Sequence, residues 1–254
     1  MENALRTLIS GMRGRWIAGA LLIAALPLTV PVIANTETDT LEPVTRHEKI
    51  CQLVTECIQK SHYRHAAVDY DLSSQVLDRY IKSLDSNRMY LLKSDVEAFE
   101  QFRYLLDDMV RSEPLNPVFD MFDVYRTRVR ERLTFALNQL ETEPDFTVDE
   151  SYEFDREELP WAETDEELDE IWRKRVKNDA LSLTLAEKEW TEVQEILEKR
   201  YTRFLKRMDQ VKSDDVFETF MNAFAHTLDP HSSYLSPRNS EEYRIQMSLS
   251  YFGI

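Results

Sequence analysis

Asp229, His231, Ser232 and Ser233 stand together in one short stretch, and their types are those of a nucleophilic triad. In such a site a serine hydroxyl attacks, an imidazole takes its proton, and a carboxylate orients the imidazole. The chemistry also needs defined mutual geometry and an oxyanion hole, and residues one to three apart around Pro230 rarely point at one another in that way. The segment therefore reads as a turn and cap after a helix ending at Leu228. Its serine and aspartate oxygens would accept from backbone N–H groups. His62 and His65 have no carboxylate partner nearby in sequence and read as surface or cap residues.

Metal chemistry has a thinner basis. Cys51 and Cys57 are the only two cysteines. Six residues apart on a helix they are separated by about 9 Å of rise, beyond the roughly 7 Å that a disulfide tolerates. They border an apolar stripe with Ile50, Val54 and Ile58 and read as buried free thiols. His47, four before Cys51, makes a two-ligand metal pair conceivable, but no third or fourth ligand lies in sequence reach. Between Glu141 and Glu170 there are fifteen Asp/Glu against Arg156 alone. These acids lack the spacing and the glycine of a calcium loop. The residues therefore imply no metal and no other cofactor.

That acidic stretch has two readings. The commoner one for such runs is a solvated linker followed by the acidic first turn of a helix. The other is a docking strip for a basic partner, with Tyr152, Phe154, Leu159 and Trp161 interleaved as anchors. The whole chain carries a net −16. No extended basic stripe is apparent that would displace counterions from phosphates, so nucleic acid is not expected as a partner.

The elements that would position these residues are helical. The four glycines are Gly11, Gly14, Gly19 and Gly253, so the body has no phosphate cradle and no nucleophile elbow. Apolar residues recur at helical spacing, with capping signals, over 47–61, 73–84, 94–109, 116–140, 164–181, 184–211 and 213–228. Ser94–Glu97, Thr164–Glu167 and Thr184–Glu187 match the capping-box pattern, and Ser213 reads as the cap of the last helix. Phe217, Phe220 and Phe224 mark its core face. The expectation is an all-α, irregular domain of about seven helices. A polar boundary at 141–163 offers a sub-division, and residues 247–254 alternate like a short unpaired strand.

The N-terminus carries an address. Arg6, Arg13 and Arg15 precede the apolar run Trp16–Leu26, and Val32-Ile33-Ala34 gives a small-residue exit before Asn35. Pro27 and Pro31 interrupt the run well short of the roughly 20 residues a span needs. Residues 1–34 therefore read as a signal peptide cleaved between Ala34 and Asn35, with the membrane met only during export, followed by an extended leader over 35–45.

Phe220-Met-Asn-Ala-Phe-Ala-His-Thr-Leu-Asp-Pro-His-Ser-Ser-Tyr-Leu-Ser-Pro237 resembles the Leu-Asp-Pro-His-Ser-Tyr-Leu junction of carboxy-terminal processing proteases, and more closely of bacterial tail-specific proteases. Leu228, Asp229, Pro230, His231, Ser232 and Tyr234 carry that junction motif. Leu84–Val96, Trp172–Val176 and Met247–Ser250 agree with it. The resemblance implies a helical N-terminal domain (46–236) of a periplasmic serine endopeptidase, loosely associated at most with the inner membrane. A PDZ domain and a Ser/Lys core would follow from 237–254 onward. No residue here corresponds to the serine or lysine, so the chain is expected to be a non-catalytic front end. The family further implies protein substrates presented by apolar C-terminal tails and a lipoprotein adaptor as partners. The competing reading is a stand-alone exported helical interaction module.

Overall fold

The computed structural model describes residues 41–61, 67–112 and 114–249. The signal segment, the Ala34–Asn35 junction, His62, His65 and residues 250–254 lie outside the described residues. Nine α-helices occur among the described residues: α1 Thr45–Ser61, α2 Tyr70–Leu84, α3 Lys93–Phe99, α4 Leu106–Arg111, α5 Asn116–Gln139, α6 Asp165–Thr184, α7 Trp190–Asp209, α8 Ser213–Leu228 and α9 Pro237–Leu249. The all-α expectation holds, with more helices than the seven expected.

The differences have local causes. The stretch expected as one helix from Ser94 to Met109 is broken into α3, a 3-10 turn at Glu100–Phe102 and α4. At the break, Ser73 Oγ from α2 donates to Arg103 O at 2.7 Å and accepts from Leu106 N at 2.9 Å. The hydroxyl takes up a carbonyl and an N–H that a continuous ladder would have used internally. Nor does Ser94 cap α3. Lys93 N donates to Ala162 O at 2.8 Å, in an isolated parallel bridge between Leu92 and Ala162. With Leu92 held extended, the helix starts at Lys93, and Asp95 reaches back to Leu92 N at 3.0 Å. Likewise Lys212, not Ser213, is the N-cap of α8, with Asp215 Oδ2 accepting from its N–H.

Thr184 ends α6 instead of starting the next helix. Lys188 N–H bonds Leu183 O and Glu187 N–H bonds Thr184 O, the paired closure of a Schellman turn. Glu187 occupies its left-handed position at φ 61°. At the C-terminal side, residues 247–249 belong to α9 and not to a strand. Pro237 suits the first helical position, and Ser236 receives Asn239 N at its Oγ and Ser240 N at its carbonyl.

A main core joins α1 to α8, with a small second cluster of Leu92, Ala162 and Leu168. α2 lies against α8, α5 packs on α6, α7 and α8, and α4 closes against α1 and α2. Tyr80, Leu77, Phe119, Trp172, Phe217, Phe220 and Phe224 are fully buried within it. The Tyr80 ring meets the edge of Phe220 at 5.6 Å, and its hydroxyl donates to Val118 O at 3.0 Å. A buried phenol must find such a partner, because leaving it unpaired costs about 1–3 kcal/mol.

Candidate functional site

The junction after α8 is a fold-back. Asp229 leaves the helix in an extended conformation, and Pro230 prevents any continuation. Ser232 N donates to Asp229 O and Ser232 Oγ to Asp229 Oδ2, both at 3.0 Å. This closes the turn expected from the sequence. The chain then runs back along α8. Tyr234 N donates to Asn222 Oδ1 at 2.8 Å, and the Tyr234 ring lies edge-on to Phe217 at 5.5 Å. Further on, Asn239 Nδ2 donates to both carboxylate oxygens of Glu218 at 2.7 and 2.9 Å. Leu228 and Asp229 are buried, whereas Pro230 and His231 are exposed.

Asp229, His231 and Ser232 are not drawn into one catalytic group. His231 enters neither hydroxyl pair. The imidazole that meets a serine is His226, whose Nε2 lies 3.0 Å from Ser233 Oγ at the surface. A serine needs a base within that reach, but among the described residues no ion pair joins a carboxylate to the His226 ring. Asp229 is engaged on Ser232 instead. Sequence spacing did not reveal His226, because it lies in the last turn of α8 and meets Ser233 only through the fold-back at Asp229-Pro230.

Two other motifs meet in space. Asp85, buried at the end of α2, accepts from Met89 N at 2.9 Å on one oxygen, and from Tyr90 N and Leu91 N at 2.8 and 2.9 Å on the other. Burial raises its pKa, against the pull of those three N–H groups. Arg88, at φ 51°, makes the turn possible. Its guanidinium lies 5.2 Å over Trp161 and donates to Leu159 O. From α6, Trp172 Nε1 donates to Met89 O at 2.7 Å, and Arg175 stacks over Trp172 at 4.8 Å. The Leu84–Val96 and Trp172–Val176 stretches are thus two sides of one contact.

The acidic stretch is ordered along this contact. Glu150 is held by Arg173 and Lys177, which push its pKa down to about 2. Glu157 pairs with Lys82, Glu163 with Lys93, and Asp169 with Arg132. Glu150, Glu157, Glu163 and Asp169 are thus clasped by cations, while most residues from 141 to 163 are exposed. Asp165, Glu166 and Glu167 do occupy the first turn of α6, as expected. Of the candidate anchors, Phe154 is exposed, while Tyr152 and Trp161 are half-buried. Tyr152 and Phe154 form an edge-on pair at 5.0 Å. A cavity of about 380 Å³ opens beside Trp161, lined by Ile81, Val96, Asp85 and Glu158 among others.

The cysteine and histidine of α1 have structural partners. Cys51 is buried with its Sγ 3.5 Å from Met221 Sδ, and burial pushes its pKa up to about 12. Cys57 is exposed and not a buried thiol: six residues on, it has turned about 120° around the helix from Cys51. His47 does not pair with Cys51 as a ligand. It is buried, stacked on Phe217 at 4.3 Å, with Nε2 on Asp214 at 2.8 Å and Nδ1 accepting from Val44 N at 3.3 Å. Among the described residues no group of three or more His, Cys, Asp or Glu is placed to hold a metal ion. No helix there is long and apolar enough to cross a membrane.

These features define a helical scaffold whose sequence motifs serve as interlocking turns. Residues 54–238 match the family model described as the tail specific protease N-terminal domain, and the chain belongs to that family. It is 39% identical over 201 residues to the Tail-specific protease of Haemophilus influenzae. The alignment covers 79% of this chain and 29% of that relative, so the chain spans less than a third of its relative's length.

Proposed function

We propose that this chain is the non-catalytic helical N-terminal domain of a periplasmic serine endopeptidase that processes proteins from their apolar C-terminal tails. In that role it offers surface to protein substrates or to a lipoprotein adaptor. The observation that carries the reading is the family match over 54–238, which takes in nearly the whole helical body. The acidic stretch with exposed Phe154 is the surface best suited to such docking. Activity would reside in sequence beyond the part of the relative that this chain spans. The apolar run before Ala34 supports export.

The experiment incubates the purified chain with an unstructured protein bearing an apolar C-terminus. No cleavage above background is expected, since an exposed serine without an orienting third group and an oxyanion site is a weak nucleophile. Cleavage that disappears on His226→Ala or Ser233→Ala would overturn the non-catalytic reading. Fractionation of cells expressing the chain should place it in the osmotic-shock fluid, with Asn35 as its first residue by mass spectrometry.

A further inference from the structure

The second half of α7 carries a feature that neither the fold nor the docking reading above uses. Lys199, Arg200, Arg203, Lys206 and Arg207 are all exposed there. Together with Ile196 and Gln210 they line a shallow groove of about 740 Å³. From Ile196 to Arg207 the face extends about 16 Å along the helix. Lys199 meets Glu195 at 3.2 Å and Arg200 meets Asp179 at 3.6 Å, both at the surface. Arg203, Lys206 and Arg207 form no ion pair among the described residues, and Arg207 only lies 5.5 Å over the Phe204 ring.

This placement works against the helix. Arg203 has Lys199, Arg200, Lys206 and Arg207 as its i±3 and i±4 neighbours, and like charges at those spacings destabilise a helix. The macrodipole favours cations in the last turn, which accounts for Lys206 and Arg207 but not for Arg200 or Arg203. The chain has 47 acidic residues against 31 basic ones, so acids to neutralise the face were plentiful. Elsewhere Arg103, Arg128, Arg132 and Arg173 are ion-paired, and Arg88 and Arg175 lie over tryptophan rings.

We infer that this face of α7 is a docking site for an acidic polypeptide segment of a partner protein. Arg200, Arg203 and Arg207 present planar forks that match carboxylates in bidentate geometry. An anionic membrane is the poorer fit. The chain as a whole carries −16, which repels an extended anionic surface while permitting a narrow acidic strand. Ile196 is the one apolar side chain lining the groove, too little for the apolar face by which interfacial helices insert. The inference stands on α7 alone and does not depend on the docking role assigned to the acidic stretch.

The test uses fluorescein-labelled poly-L-glutamate of about 15 residues, with a glycine-serine peptide of equal length as control and phosphatidylglycerol vesicles as a separate arm. The chain should bind the glutamate peptide in preference to the neutral one, with affinity falling as salt rises. The triple change R200E/R203E/R207E should weaken binding about tenfold or more while leaving the circular dichroism spectrum intact. Should that variant misfold, R200Q/R203Q/R207Q should show the same loss in a smaller degree. Equal binding by wild type and a folded triple variant would overturn the proposal. So would binding to vesicles without binding to the peptide, or no preference over the neutral control.

Discussion

His47 shows how one side chain can fasten two distant parts of a sequence. Its ring is stacked on Phe217 of α8, its Nε2 lies on Asp214, and its Nδ1 receives Val44 N–H. An accepting Nδ1 has no room for a second proton, so this arrangement is that of the neutral ring. Burial, helped by the neighbouring Arg46 charge, lowers the pKa from 6.5 in spite of the opposing pull of Asp214. The unfolded chain therefore takes up the proton more readily than the folded one. The stability contributed by neutral His47 is complete above about pH 6.5 and declines as acid carries the pH below that value toward the folded pKa. Urea midpoints measured from pH 8 down to pH 5 should fall for the wild type. His47→Phe should keep the stack, lose about 1 kcal/mol at pH 8 and show a flatter profile across the same range. An unchanged slope in the variant would assign the acid sensitivity elsewhere.

At the scale of elements, the sequence was most legible where a cap and a period agreed. Thr164 caps α6, accepting from Glu167 N at 3.3 Å, and α5 begins with Pro117 in its first turn. Phe217, Phe220 and Phe224 face the core as their spacing implied. Reading failed where a partner distant in sequence decided the local structure. Ser73, about thirty residues upstream, breaks the helix that the apolar spacing of Phe99, Phe102, Leu105 and Leu106 suggested. Ala162 fixes Leu92 and so moves the start of α3. The Ser236-Pro237 cap of α9 was there to be read, but the alternating residues from Met247 pointed to a strand.

The end of α6 yields a prediction of its own. A left-handed conformation at a non-glycine residue costs roughly 1–2 kcal/mol, and Glu187 sits at φ 61° in the Schellman turn. Glu187→Gly removes that strain but frees the unfolded chain, so a net gain of about 0.5–1 kcal/mol is expected. Differential scanning calorimetry should show a raised midpoint. A lowered one would mean that the Glu187 side chain contributes more than its backbone costs.

For the whole molecule, the candidate site was only partly legible. The Asp229 turn was anticipated, but the Asp85 turn was not: its three N–H partners lie only four to six residues on in the loop after α2, yet no capping pattern in the sequence marks them. What ties the acidic stretch to that region is ionic. Arg173 and Lys177 depress the Glu150 pKa from 4.5 to about 2. A depressed carboxylate contributes stability that is present above about pH 4.5 and is lost as the pH falls toward 2. Glu150→Gln should therefore loosen residues 145–163 already at neutral pH. Hydrogen exchange there should rise severalfold while α2 and α8 stay protected. If α8 exchanges faster as well, the loop is part of the cooperative core and not a clasp on it.

The fold-back along α8 also fixes how the helical body would respond to load. Arg46 and His47 attach at Asp214, and Asn239 attaches at Glu218. These anchor points are one helical turn apart, about 6 Å along the axis. Tension applied through the segments before Thr45 and after Asn239 would therefore meet the body at one end of α8. It would peel contacts open one after another, as a zipper opens, and would not drag α2 past α8 in shear. The body would yield at low force from that end, leaving the Tyr80–Phe220 core to give way last.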